Sequence, residues 1–273
     1  MTATQDNQEQ LSSVLPEPST RVAYEKPPLV EVICQLRFPT ILRIQSEIPS
    51  QFQERVRAKF PNYNEKTKDQ FGDAPPEVKS LLKQFSQNTT EKSYEFISED
   101  EQWTVNLGSG HISLSTTGYK RWAGFTEFWQ PVFEAFVEVY KPAYFSRVGL
   151  RYIDFINKNT LGLQGAGWGE ILAPHIAGVL GATEVSKAVY AQQSQTHIEI
   201  DSGGTKCAVR HGLGEGTAAN GTVQGYILDC DIFKETKVEY GKTAELLNQF
   251  NEYSGRVFRW CIGETLHEAM GPN

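Results

Sequence analysis

Nowhere does the 273-residue chain approach the ~18 consecutive apolar residues of a membrane-spanning helix. Its first Lys or Arg is Arg21, so the basic start of a secretory signal is missing too. Both absences lead to the expectation of a soluble, cytoplasmic protein with no membrane partner. Cysteine is sparse: Cys34, Cys207, Cys230 and Cys261 contain no CxxC pair, which removes the usual signature of a zinc site or a dithiol redox centre. Four isolated thiols are expected to be small buried hydrophobes. Positive charge is in deficit as well, with 26 Lys and Arg against 33 Asp and Glu and a net charge of -7. Proteins that coat phosphate backbone draw their affinity from clustered cations, so nucleic acid is not expected as the main partner. The basic group Arg55, Arg57 and Lys59 is interleaved with Glu54 and reads as the solvated face of a helix.

What is present is a composition able to fold. An apolar fraction of 39% is ample for one large domain or two closely packed ones. Residues 1–22 carry only isolated apolar side chains, too few to offset the entropy of ordering, and are expected to form a flexible tail. From Leu29, LVEVICQLRF alternates Val30, Val32, Cys34, Leu36 and Phe38 with Glu31, Gln35 and Arg37, the pattern of a strand with one buried face. Phe52, Val56 and Phe60 recur at helical spacing between Ile48 and Pro61. Residues 62–90 are polar, with a short helix suggested at Glu77 to Phe85. SYEFISE, QWTVNLG and HISLST then form a meander, and a helix from about Thr126 to Tyr140 carries Pro131 in its first turns.

From Phe145 the same order starts again: strand FSRVGLRYIDFI, helix WGEILAPHIAGVLG, strands VSKAVYAQQSQTHIEID, TKCAVRHG and TVQGYILDCDIFK, and a long helix from Thr243. The spacing between first strands and between last helices is roughly 117 residues. The chain is therefore expected to be α+β, a tandem duplication of a β-α-β-β-β-α unit in residues 23–142 and 143–273, with antiparallel curved sheets packed on long helices. That order is similar to the TATA-binding-protein and helix-grip folds, a likeness of topology that carries no function.

Four segments carry a further resemblance: Tyr24-x-x-Pro27-Pro28-Leu-Val, Tyr119-x-x-Trp122-x-x-Phe125, Arg147-Val-Gly-Leu-Arg151-Tyr152-Ile153, and Leu228-Asp229-Cys230-Asp231-Ile232-Phe233 followed by Val257-Phe258 and Leu266. In this order and spacing they resemble a sporadically distributed bacterial family of uncharacterised proteins. The sequence departs from that family at Asp154, where the family has Asn, so an amide-specific hydrogen bond is not carried over to this position. The family's patchy distribution resembles that of mobile defence operons. The resemblance thus implies an accessory role in antiviral defence, with another protein of the same operon or system as partner.

Among candidate sites, alternation puts Arg147 and Arg151 on one face of their strand, and Asp229 and Asp231 on one face of theirs. The residues are expected to form a partly buried ion-pair network; the sharper alternative makes the arginines a bidentate clamp for a carboxylate or phosphate. A metal on Asp229 and Asp231 lacks a third ligand at suitable spacing. Gly212-Leu-Gly214-Glu-Gly216 imitates a phosphate loop, but it links two strands and opens no helix, so a mobile hairpin is expected. His197, His211 and His267 form no catalytic spacing with a nucleophile. Tyr119, Trp122, Phe125, Phe128 and Trp129 cluster where a strand meets a helix; they are expected to be core, and Tyr119 and Trp122 become a binding hot spot if exposed. With no catalytic residue, metal site or cofactor signature identified, the expectation is a non-catalytic protein-interaction or regulatory component. The alternative is a small-ligand or anion binder using a groove between a sheet and a long helix.

Overall fold

Strand β1 (Leu29–Arg37) buries Val32, Cys34 and Leu36 on one side and turns Ile33 and Gln35 to the other. The alternation follows from the two-residue period of an extended chain, and it sets the two faces of a sheet that the rest of the molecule extends. The computed structural model describes residues 14–15, 22–67, 92–218 and 221–273. Within them one nine-stranded antiparallel sheet forms, with strands β2 (Asn62–Thr67), β3 (Lys92–Ile97), β4 (Trp103–Gly108), β5 (His111–Thr116), β6 (Arg147–Ile156), β7 (Gln193–Glu199), β8 (Lys206–Ala218) and β9 (Gly221–Lys234). The order across the sheet is β2-β3-β4-β5-β1-β6-β9-β8-β7. The chain is therefore α+β, and β1 and β6 pair with each other at the middle.

The helices supply the cover. Short α1 (Leu42–Ser46) and α2 (Ser50–Val56) follow β1, and α3 (Trp122–Tyr140) follows β5. α3 buries Phe125, Trp129, Val132 and Phe136, three to four residues apart, so a single stripe meets the sheet. After β6 come α4 (Trp168–Ile171) and α5 (Pro174–Ala177), and after β9 the 19-residue α6 (Thr243–Cys261), which buries Leu247, Phe250, Val257 and Cys261, and then α7 (Glu264–Ala269). All four cysteines are buried and free. Each large apolar side chain fully withdrawn from water contributes about 1.5–3 kcal/mol, and the stripes of α3 and α6 against Val32, Leu36, Leu150 and Ile232 hold the layers together. Among the described residues, no helix is long and apolar enough to cross a membrane.

The elements differ from expectation in several places. Residues 62–67 form the edge strand β2, making the first meander four-stranded; its alternation was hidden because an edge strand, exposed from Asn62 to Glu65, needs little apolar content. The helix expected between Ile48 and Pro61 is α2, which starts after Pro49 and ends at Val56, and a separate short α1 precedes it. The start of α3 at Trp122 places Pro131 inside the helix rather than in its first turns. The segment WGEILAPHIAGVLG breaks into α4, α5 and a 3-10 turn, since Pro174 cannot continue α4 and Gly178 leaves α5 with φ 49. The suggested helix at 77–85 lies outside the described residues, as does most of the tail. Val14 and Leu15 of that tail are described: Val14 donates its N–H to the Ile200 carbonyl at 2.9 Å, and Leu15 is buried in the core.

The glycine run 212–216 is no mobile hairpin. It belongs to β8 and stays paired with β9 as far as Ala218 opposite Gly221. A Cβ on Gly216 would come within 2.5 Å of the Phe155 ring, and one on Gly225 within 2.4 Å. These two glycines make a furrow across β8 and β9 that seats Phe155 of β6.

Candidate functional site

On the sheet face away from the helices, Arg151 of β6 reaches diagonally to Asp229 of β9, Nε to Oδ1 and Nη2 to Oδ2, both at 2.6 Å. Arg147 holds both oxygens of Asp231 at 3.0 and 2.9 Å, and its guanidinium lies over the Phe233 ring at 4.4 Å. Arg210 of β8 joins from the far side, 3.2 Å from Asp229 and 3.7 Å from Asp231. Burial acts to raise the Asp231 carboxyl, but Arg147, Arg151 and Arg210 outweigh it and hold the group below its ordinary value. Burial likewise acts against charge on Arg151, and Asp229 overrides it, raising the guanidinium further. Alternation in the sequence marks four of these five side chains. It misses Arg210, whose signal is its place beside Ala208 on the polar register of β8. The forks of Arg147 and Arg151 are occupied by carboxylates of the same chain, which makes the network a brace across β6, β9 and β8.

The helix side of the same strands is different. A cavity of about 490 Å³ opens between β6, β9, α6 and the segment from Val22 to Leu29. Tyr152, Asp154 and Cys230 line its sheet side, Asn251, Gly255 and Phe258 line it from α6, and Tyr24 and Tyr119 complete the walls. The Tyr152 hydroxyl donates to Asn251 Oδ1 at 3.0 Å, and Tyr119 meets the Tyr152 ring edge-on at 5.8 Å. Tyr24 is held by a 2.8 Å hydrogen bond between its hydroxyl and His267 Nδ1 and packs edge-on against Phe258 at 6.0 Å. The cavity is thus walled by four rings set by their own contacts.

Glu252, Arg256 and Arg259 also line the cavity from α6, and Asp154 is the charged group on its sheet side. It occupies the register of Val148, Leu150 and Tyr152, is only 5% exposed, and has no hydrogen-bond or ion-pair partner among the described residues. Burial first, and Asp229 second, push its carboxyl up to about 8. The cationic side chains nearby are engaged elsewhere: Arg256 Nη2 donates to the Leu15 carbonyl at 2.8 Å, and Arg259 pairs with Glu264. Alternation already placed Asp154 on the apolar face, and a lone carboxylate there is the signal that could have marked it.

Of the two aromatic candidates, Tyr119 lines the cavity. Trp122 does not; it stacks on Phe125 at 5.4 Å and donates its indole N–H to Asn248 Oδ1 at 2.7 Å. Among the described residues the one group with metal-ligating potential is Glu264, His267 and Glu268 on α7, where both carboxylates are exposed. No family model matches the chain, and no curated protein matches it.

Proposed function

We propose that this chain is a small-ligand-binding protein whose site is the cavity between β6, β9 and α6. Its volume falls within the ~300–1,000 Å³ typical of ligand pockets, its walls are mainly apolar, and a few polar groups converge on it. The carrying observation is Asp154: a buried carboxyl with no partner among the described residues is costly, and such groups concentrate at functional positions. The reading is one of binding, with no reaction attached. The Arg147, Arg151, Asp229 and Asp231 set serves in it as the brace behind the site, fixing the strands that present Tyr152 and Asp154.

The pairing register supports the accompanying proposal of an internal duplication with a grip like that of the TATA-binding protein. Cys34 faces Leu114 across β1 and β5, as Leu150 faces Ile232 across β6 and β9. Val105 faces Leu114 and Phe96 faces Val105 in the first meander, as Cys207 faces Ile232 and Ile198 faces Cys207 in the second. On this reading β2 is an addition to the first half. Membership of the sporadically distributed bacterial family, and with it a part in antiviral defence, rests on the four sequence segments.

A protein-partner reading has its own observation, the exposed Val179, Val185 and Tyr190 on one connection, Tyr190 being 92% exposed. A ligand-observed NMR screen with small aromatic fragments separates the two. Fragments that bind wild type, compete with one another, and are lost in Gly255→Phe support the cavity. A screen without such fragments overturns it, and binding to a host protein that fails in Tyr190→Asp then favours the surface.

A further inference from the structure

We infer that the ligand of this cavity is an organic cation, a protonated amine with an apolar or aromatic body, whose ammonium pairs with Asp154. The inference rests on the ligand-binding reading and adds the chemical class. Three features of the site carry it.

Among the described residues Asp154 is the only carboxylate on the sheet side of the cavity, and it is only 5% exposed. A bound ammonium brings a counter-charge that favours the ionised form of Asp154, for which the described residues supply no partner. Arg256 and Arg259 also line the cavity from α6, and their guanidiniums are engaged by the Leu15 carbonyl and the Glu264 carboxylate rather than by Asp154.

The walls favour the same class. Tyr24, Tyr119, Tyr152 and Phe258 surround the cavity, and ring faces attract a desolvated cation. An anion would meet those ring faces, which oppose it.

The α6 wall keeps space for such a body. Gly255 sits inside a 19-residue helix, where glycine is less favourable than alanine, yet its backbone does not have positive φ and a Cβ built on it meets nothing within 4 Å. Neither strain nor close packing requires glycine there. Its effect is to hold open the wall facing Asp154.

The test compares three probes of one shape and different charge, phenethylamine, 2-phenylethanol and phenylacetate, by isothermal titration calorimetry at neutral pH. On wild type, phenethylamine is expected to bind at least ten-fold more tightly than 2-phenylethanol and phenylacetate weakest. Asp154→Asn is expected to bring the amine and the alcohol within about two-fold of each other, and Gly255→Phe to abolish both. Circular dichroism melting of each variant confirms that it is folded. Equal or reversed preference on wild type, or an amine preference that survives Asp154→Asn, overturns the cation assignment while leaving the cavity as a ligand site. Failure of all three probes on folded wild type overturns the assignment and the cavity reading together.

Discussion

Arg151 grips Asp229 with two parallel hydrogen bonds of 2.6 Å from the neighbouring strand, and Asp229 is 1% exposed. Removing the guanidinium strands a buried carboxylate with only Arg210 at 3.2 Å for company. Breaking a buried pair from one side costs about 3–5 kcal/mol. Arg151→Ala is therefore expected to lose stability on that scale in urea denaturation, and a double-mutant cycle with Asp229→Asn should show strong coupling. An Arg151→Ala protein as stable as wild type that had lost a binding activity would instead make this face the site.

Asp154 makes stability fall as pH rises. Its carboxyl titrates near 3.8 when unfolded and at about 8 when folded, so between those values the folded chain holds a proton that the unfolded chain has released. The expected slope is a loss of up to about 1.4 kcal/mol per pH unit. His111, lowered to about 4 by burial and then by Arg37, acts in the opposite sense between about 4 and its ordinary 6.5. The decisive measurement is the difference between wild type and Asp154→Asn, unfolded in urea at about pH 6.5 and about pH 8.5: the variant should gain on wild type as pH rises. Parallel curves would mean that Asp154 is charged or hydrogen-bonded in the folded protein.

Gly255→Ala should raise stability by about 0.5–1 kcal/mol, because alanine restricts the unfolded chain and fits the helix without contact. Thermal melting checks it. A loss would show that the wall near Gly255 is closed.

The tail prediction changes once Leu15 is seen buried and its carbonyl held by Arg256. A flexible tail implies that deleting residues 1–20 moves the melting temperature by about a degree or two. With Leu15 in the core, Leu15→Ala alone is expected to cost about 2 kcal/mol, at the low end for a buried leucine. A melting temperature unmoved by Leu15→Ala would restore the flexible tail.

Sequence alone determined the alternation of β1 and β6, the presence of the long helices α3 and α6, the burial of the cysteines, and the shared face of Arg147 with Arg151 and of Asp229 with Asp231. These follow from periods of two and 3.6 residues, which any local reading can count. Tertiary structure decided what distance along the chain conceals. Phe155 explains Gly216 and Gly225 only once β6, β9 and β8 lie side by side, and Arg210 becomes a partner of Asp229 only through the same pairing. Asp154 was visible as an oddity on an apolar face. That it faces a cavity, and that Arg256 there is engaged by the Leu15 carbonyl, depends on packing α6 over the sheet against the chain's own N-terminal segment. Such contacts join residues from 19 positions apart, Arg210 and Asp229, to 241 apart, Leu15 and Arg256, and no local period encodes them.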